Sequence, residues 1–294
     1  MVLNGNSILI YQTGFNTMEM VEEIDYESTE TNKAGRIFTE LAGDARRAML
    51  LKLSERSLKL STLSKDLDMT IQHAHSNINR LIEVGLVEKN SNGYLSLTTY
   101  GKTMINQLPA FHFLVEHKEY FKDHTFGNLP LKFERRIGDL DNCSVVKGVV
   151  AVLQRWKLMY QGAGEYISTI TSQVLVDLIE PLAEKVKSGT KLLYVMPEDV
   201  IVPKGTLEAT KKVSWESILA ERKAERRMVK KVEVSTIVTD RSAGVLFPNL
   251  KNEVDMNVMF YSEDSSFREW CQDYFRYVWE SSELFDKGKL RREI

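Results

Sequence analysis

Between Thr70 and Gly85 the chain reads TIQHAHSNINRLIEVG, with apolar residues recurring at helical spacing. Ile71, Ala74, Ile78, Leu81 and Ile82 stand at i, i+3, i+7, i+10 and i+11, one stripe of an α-helix. Gln72, His73, Ser76, Asn77, Asn79 and Arg80 fall outside that stripe. Thr70 is placed to cap the helix N-terminus and Gly85 to end it in the left-handed conformation. The polar face therefore carries amides, a hydroxyl, an imidazole and a guanidinium, groups that can read base edges in a DNA major groove.

The flanking pattern gives this helix its setting. Helices are predicted over about Lys33–Leu41 and from Asp44, as cap, to about Arg56. LKLSTLSKDLDM then supplies a short helix opening at Ser61 or Thr62, with a turn at Asp68–Met69. Helix, short helix, turn and polar-faced helix is the helix-turn-helix order. Leu86–Val87 and Tyr94–Leu97 read as strands of a hairpin whose tip is Asn90, Ser91, Asn92 and Gly93. A hairpin directly behind a helix-turn-helix is a wing.

Another helix follows over Thr98 to about Leu114, interrupted at Pro109. A helix in that position often carries dimer contacts, and a two-fold dimer matches a palindromic site. From Val145 the texture alternates. VVKGVVAVLQRWKLMYQ reads as a helix, EYISTIT as a strand, VLVDLIEPLAEKVKSG as a helix and TKLLYVMP as a strand. A charged helix is predicted from Trp215 to about Lys230. Strands in VEVSTIVTD, SAGVLFPN and MNVMFYS follow, and a helix from Ser265 to Phe285. The fold class is thus α/β plus α+β: an N-terminal winged helix-turn-helix, then an α/β domain with a mixed sheet of about five strands. The expected segments are an acidic arm at 1–31, the winged helix-turn-helix with its following helix at 32–114, a helical linker or dimerisation region at 115–144, and an α/β sensor or regulatory domain at 145–294.

Charge sharpens this division. The 294 residues carry a formal net charge of −2, which argues against a protein that coats nucleic acid by bulk charge. Residues 1–35 hold six acids and one base, 36–104 hold ten bases and seven acids, and 105–294 hold 28 of each. The helix-turn-helix region is therefore the only net-positive block. An acidic arm beside it is expected to compete with DNA for the basic face. The two cysteines, Cys143 and Cys271, form no CxxC and no disulfide framework, which fits the cytoplasm; both read as small core residues. No apolar run reaches the length of a membrane span, and the N-terminus lacks the order of a signal peptide.

The candidate DNA-binding residues are Thr70, Gln72, His73, Ser76, Asn77 and Arg80 on the helix, with Lys89, Asn90, Ser91 and Asn92 on the wing. Lys52, Arg56, Lys59 and Lys65 are expected to add phosphate contacts. The partners implied are double-stranded DNA, a second copy of the chain, and a small-molecule or anionic effector whose site the sequence does not reveal; no membrane partner is implied. No catalytic residue, metal ligand or cofactor is assigned. His73 and His75 point to different sides of a helix, which disfavours a shared metal, and His75 reads as partly buried. QGAGEY precedes a strand instead of following one, so Gly162 and Gly164 fail as a dinucleotide fingerprint. Ser188 to Lys191 matches SxxK without supporting motifs. ERKAERRMVKK, at 221–231, reads as a solvated helical face, with an anion- or partner-binding helix as the sharper alternative. Arg241, in TDRSAG, reads as a turn residue, with an anionic effector as its sharper alternative.

Three stretches carry a family resemblance: GLVEKNSNGYLSLTTYGK at 85–102, VEVSTIVTDRSAGVLFPN at 232–249 and DMNVMFYSEDSSFREWCQDYFRYVWESSELF at 255–285. Through them, residues 36–286 resemble archaeal winged-helix transcriptional regulators with a C-terminal sensor domain of the methanogenesis-regulator type. The resemblance implies a C-terminal domain similar to half of a phospholipase-D-like fold. Catalysis in that fold requires His-x-Lys-x4-Asp, and His112, His117 and His124 each lack the lysine two residues on. The reading is a non-enzymatic, dimeric regulator. The alternatives are a degenerate phosphodiesterase-like enzyme with a targeting winged helix, and an adaptor for the transcription machinery.

Overall fold

Met49, Leu50, Leu63, Ala74, Leu81 and Leu86 have no exposed surface, and these side chains knit the first unit together. The computed structural model describes residues 29–220 and 223–292. The acidic arm lies outside them, apart from the first residues of the opening helix. The chain divides into two compact units, residues 1–102 and 103–294.

In the first unit α1 (Thr29–Ala42) and α2 (Asp44–Glu55) lead to β1 (Leu58–Lys59), α3 (Leu60–Asp66), α4 (Ile71–Glu83), β2 (Val87–Lys89) and β3 (Tyr94–Leu97). α2 is capped at Gly43, not Asp44; Asp44 instead pairs with Arg47 one turn on. The wing is three-stranded, in order β1-β3-β2, where two strands were expected. The added strand pairs Leu58 with Leu95 and Lys59 with Tyr94, which buries Leu58 against the wing. α5 (Thr99–Ile105) follows, with the Thr98 hydroxyl accepting from Gly101 N at 2.9 Å.

The second unit begins with α6 (Leu108–Glu116), which carries Pro109 in its first turn, where a missing N–H costs nothing. Next come α7 (Leu131–Glu134), β4 (Ser144–Lys147), α8 (Val149–Gly162), β5 (Tyr166–Ile170), α9 (Val176–Lys187), β6 (Lys191–Pro197), β7 (Ile201–Val202), α10 (Thr206–Lys212) and α11 (Trp215–Ala220). The chain ends with β8 (Ala224–Val229), β9 (Ser235–Thr239), β10 (Ala243–Leu246), β11 (Val258–Ser262), α12 (Ser265–Glu280), β12 (Glu283–Leu284) and β13 (Arg291–Arg292). The sheet is mixed, as expected, but has eight strands in order β12-β8-β6-β5-β9-β10-β11-β4, not five. β5, β6 and β8 run parallel, and the remaining neighbours pair antiparallel. Both faces are covered, so successive residues of one strand enter different cores: Val238 packs with Trp270 and Phe275 of α12, and Ile237 packs with Trp156 and Leu182 of α8 and α9.

The extra strands have physical causes. β8 lies in the run expected to be a helix from Trp215 to Lys230; only Trp215–Ala220 is helical. On a strand Arg226 and Arg227 point to opposite faces. Arg226 lies 3.8 Å from the Phe285 ring centroid and Arg227 lies 4.6 Å from that of Trp279, so the arginine stems cover aromatic surface. β4 takes Ser144–Lys147 from the expected helix because it pairs with β11. Residues 115–144, expected as a linker, supply Leu129, Phe133, Ile137 and Leu140 to the core beneath α12. Trp270 Nε1 donates to Phe133 O at 3.1 Å, and Arg136 Nη1 to Asp273 at 2.7 Å.

Candidate nucleic-acid interface

Thr70 starts α4 by accepting from His73 N at 3.2 Å through its hydroxyl. Gly85, at φ +78°, turns the chain out of it, and Leu86 N returns to Leu81 O at 2.9 Å. Between these ends Ala74, Asn77, Ile78 and Leu81 are buried. At 100° per residue, the outward face is centred on Gln72, Ser76 and Asn79, flanked by His75 on one side and Arg80 and His73 on the other.

This face differs from the sequence reading in four positions. Asn77 points inward, 7% exposed: its Nδ2 donates to His73 O at 2.9 Å and its Oδ1 accepts from Arg46 Nη1 at 3.2 Å. Both halves of its amide are satisfied inside the unit. Ile71 and Ile82, assigned to the apolar stripe, are 59% and 36% exposed. His75 is exposed, not partly buried, and stands 3.4 Å from Asn79 Nδ2. His75 and Asn79 are the residues that the candidate set omits; projecting α4 about the buried row would have found them. Gln72, His73 and Ser76 are exposed as expected.

Arg80 is held from behind. Its Nε and Nη2 donate to the two carboxylate oxygens of Glu40 at 3.0 and 2.7 Å, while Arg46 Nε reaches the same carboxylate at 2.8 Å. The Arg80 hydrogen bond, against the opposing effect of burial and with the charges of Arg46, Arg80 and Arg36, holds the Glu40 carboxyl below its ordinary value. The same bond raises Arg80. Arg36 and Glu83 pair across the mouth of a 430 Å³ hollow lined also by Gly35, Thr39, Glu40, Arg80 and Val84.

The wing tip is built by Asn90, whose Oδ1 accepts from Asn92 N at 3.0 Å and Tyr94 N at 2.9 Å. That side chain shapes the turn, whereas Lys89, Ser91 and Asn92 are exposed. Lys59 Nζ sits 5.2 Å from the Tyr94 ring centroid. Lys52 pairs with Glu55. Arg56, Lys59, Lys65 and Lys89 are exposed and lie outside the ion pairs of this unit's described residues.

The other sequence candidates lie in the second unit. Gly164 N and Glu165 N donate to Asp240 Oδ1 at 2.8 and 3.1 Å, so the glycine turn cradles an internal carboxylate. Burial raises the Asp240 carboxyl, but these backbone donors outweigh it and leave the group low. Arg241 is exposed in the β9–β10 turn, 3.7 Å from Asp240, and its N–H donates to Thr239 Oγ1. Ser188 donates to Lys185 O at the end of α9. Cys271 is fully buried; Cys143 is half-buried, and burial, with Asp141 nearby, pushes its thiol up to about 12.

The first unit is a winged helix-turn-helix, the class of scaffold that presents one helix to a groove. Residues 154–281 match the family model described as "Methanogenesis regulatory protein FilR1, middle domain". The resemblance of the C-terminal domain to the methanogenesis-regulator type is borne out there. The chain therefore joins a winged helix-turn-helix to a regulatory-protein domain, the make-up of a DNA-binding transcriptional regulator. No curated protein matches it. Among solved structures it is similar to TrmBL2, an archaeal chromatin protein, at 13% identity, covering 88% of this chain and 100% of that one, with a TM-score of 0.39. A homodimeric winged helix-turn-helix DNA-binding domain from Mycobacterium bovis matches at 20% identity over 36% of this chain and 98% of that one, TM-score 0.28. Nuc, a phospholipase D family member from Salmonella typhimurium, matches at 13% identity over 50% and 100%, TM-score 0.38.

Proposed function

We propose that the chain binds an operator as a dimer, with α4 in the major groove and the wing on the backbone. The observation that supports this most is the single outward row of Gln72, Ser76 and Asn79, rigidly backed by Ala74, Asn77, Ile78 and Leu81. An amide offers adenine a donor and an acceptor at once. Arg56, Lys59, Lys65 and Lys89 supply the phosphate attraction that α4, with Arg80 neutralised, lacks. The work is done in the cytoplasm, where DNA is; no helix among the described residues is long and apolar enough to cross a membrane.

The test is selection of sites from random duplex DNA by the purified chain. Gln72→Ala is expected to relax one base position, at a cost of about 1–3 kcal/mol of discrimination, and to leave non-specific binding intact. Lys89→Ala is expected to weaken all sequences alike and to reduce the salt slope by about 0.9. Failure to enrich any sequence would overturn the reading.

The dimer forms through α6 in this reading. Phe111 and Val115 are 55% and 69% exposed, and Leu114 lies with them at i, i+3, i+4 spacing on one helical face. Phe111→Asp combined with Val115→Asp is expected to convert a dimer to a monomer in sedimentation equilibrium, and an unchanged mass would remove this face from the interface. The C-terminal domain is assigned dimerisation, sensing of a small-molecule or anionic effector, or both. An effector acts by favouring one placement of the two recognition helices, since half-sites one helical turn apart tolerate only one spacing.

A further inference from the structure

Ile71 is the first residue of α4, and 59% of its surface is exposed. Neither helix formation nor packing accounts for it there. β-branched residues are weaker helix formers than alanine, and the core of the unit is closed by Ala74, Ile78 and Leu81, each at most 3% exposed. Helical side chains lean toward the N-terminus, so Ile71 projects ahead of α4 at its leading turn. Gln72 is exposed beside it, and Thr70 fixes the turn by its cap. The leading turn of a recognition helix is the part that meets base edges.

An apolar group and an amide side by side match one pattern in the major groove. Thymine presents its C5-methyl there, and adenine presents N7 as acceptor and N6 as donor. We infer that Ile71 is a specificity-determining residue that packs on the 5-methyl group of a thymine in each half-site, within one base step of the position read by Gln72. This rests on the operator-binding reading above and names the chemistry by which it selects sequence. The contact is apolar, so it survives salt that screens the phosphate contacts.

The experiment uses the full chain and the duplex recovered by site selection, resynthesised with deoxyuridine replacing one thymine at a time. Deoxyuridine keeps the pairing edge and removes only the methyl. One thymine per half-site is expected to lose about fourfold in wild-type affinity, the size of hiding one methyl from water. Ile71→Ala is expected to bind the thymine and uracil forms of that site equally, while Gln72→Ala keeps the methyl effect. A methyl effect of equal size in wild type and Ile71→Ala, or no methyl effect at any thymine, would overturn the inference and leave operator binding standing. If no sequence is enriched, operator binding and this contact fail together, and Ile71 belongs to another surface.

Discussion

Replacing Gly101 with alanine is expected to destabilise the winged-helix unit by about 3 kcal/mol, the upper end of the overpacking range. A Cβ at this position falls 2.1 Å from Leu86 O and 2.9 Å from its carbonyl carbon. The obstacle is backbone, which cannot rotate away as a side-chain tip can. Nor can Leu86 move: it is fully buried, its N–H is bonded to Leu81 O in the last turn of α4, and its carbonyl accepts from Thr98 N at 3.1 Å. Relief requires pulling α5 off the junction of α4 and the wing, which loosens the recognition helix. All four tryptophans, Trp156, Trp215, Trp270 and Trp279, lie in the second unit. Tryptophan fluorescence therefore follows that unit alone, while far-UV circular dichroism follows both. In urea, Gly101→Ala is expected to bring forward a dichroism transition and leave the fluorescence midpoint in place, with specific DNA binding lost. Coincident, unshifted transitions would show that the junction accommodates the methyl.

Gly101 stands in the GLVEKNSNGYLSLTTYGK stretch that carried part of the family resemblance, yet its contact with Leu86 is invisible in the sequence. Much else in that region was legible. α4 declared itself by period and by both ends, because Thr70 and Gly85 act on neighbouring backbone. What failed was the division of its faces. Asn77 is polar yet inward because Arg46, 31 residues earlier, supplies the partner for its amide oxygen. Ile71 is apolar yet outward because its place at the helix end takes it past the core. The sheet shows the same division. Five strands with β-branched or aromatic texture were readable, whereas β8 was not. Its arginines count as strand residues only once Trp279 and Phe285, more than fifty residues on, lie beneath them. The aromatics between Phe113 and Phe133 lack a clean period, so their role beneath α12 had no local sign.

Glu40 is the other residue whose loss is expected to be felt most. It is 7% exposed and holds two arginines, Arg46 from α2 and Arg80 from α4, on one carboxylate. Glu40→Ala strips Arg80 of its bidentate partner, while Arg46 keeps its bonds to Thr39 O, Glu40 O and Asn77. A cost of about 2 kcal/mol follows from the charged hydrogen bonds lost, discounted because the Arg80 side of the network meets water. The pH dependence has a definite sign. The folded carboxyl is held below its ordinary value, first by the Arg80 hydrogen bond, so its stabilisation is complete above about pH 4.5 and fades as pH falls through the lowered folded value. The stability gap between wild type and Glu40→Gln is therefore expected to be constant near neutrality and to shrink in acid; a gap that widens in acid would assign the effect elsewhere. The same substitution frees a cation on the recognition helix. Non-specific DNA affinity is expected to rise and the salt slope to steepen by about 0.9 for the phosphate gained. Discrimination should fall, because an arginine released from Glu40 finds phosphate on any sequence. Glu40 thus keeps Arg80 from acting as a general anchor and leaves selection to Gln72, Ser76 and Asn79. A variant with lower stability but an unchanged salt slope would show that Glu40 supports the fold alone.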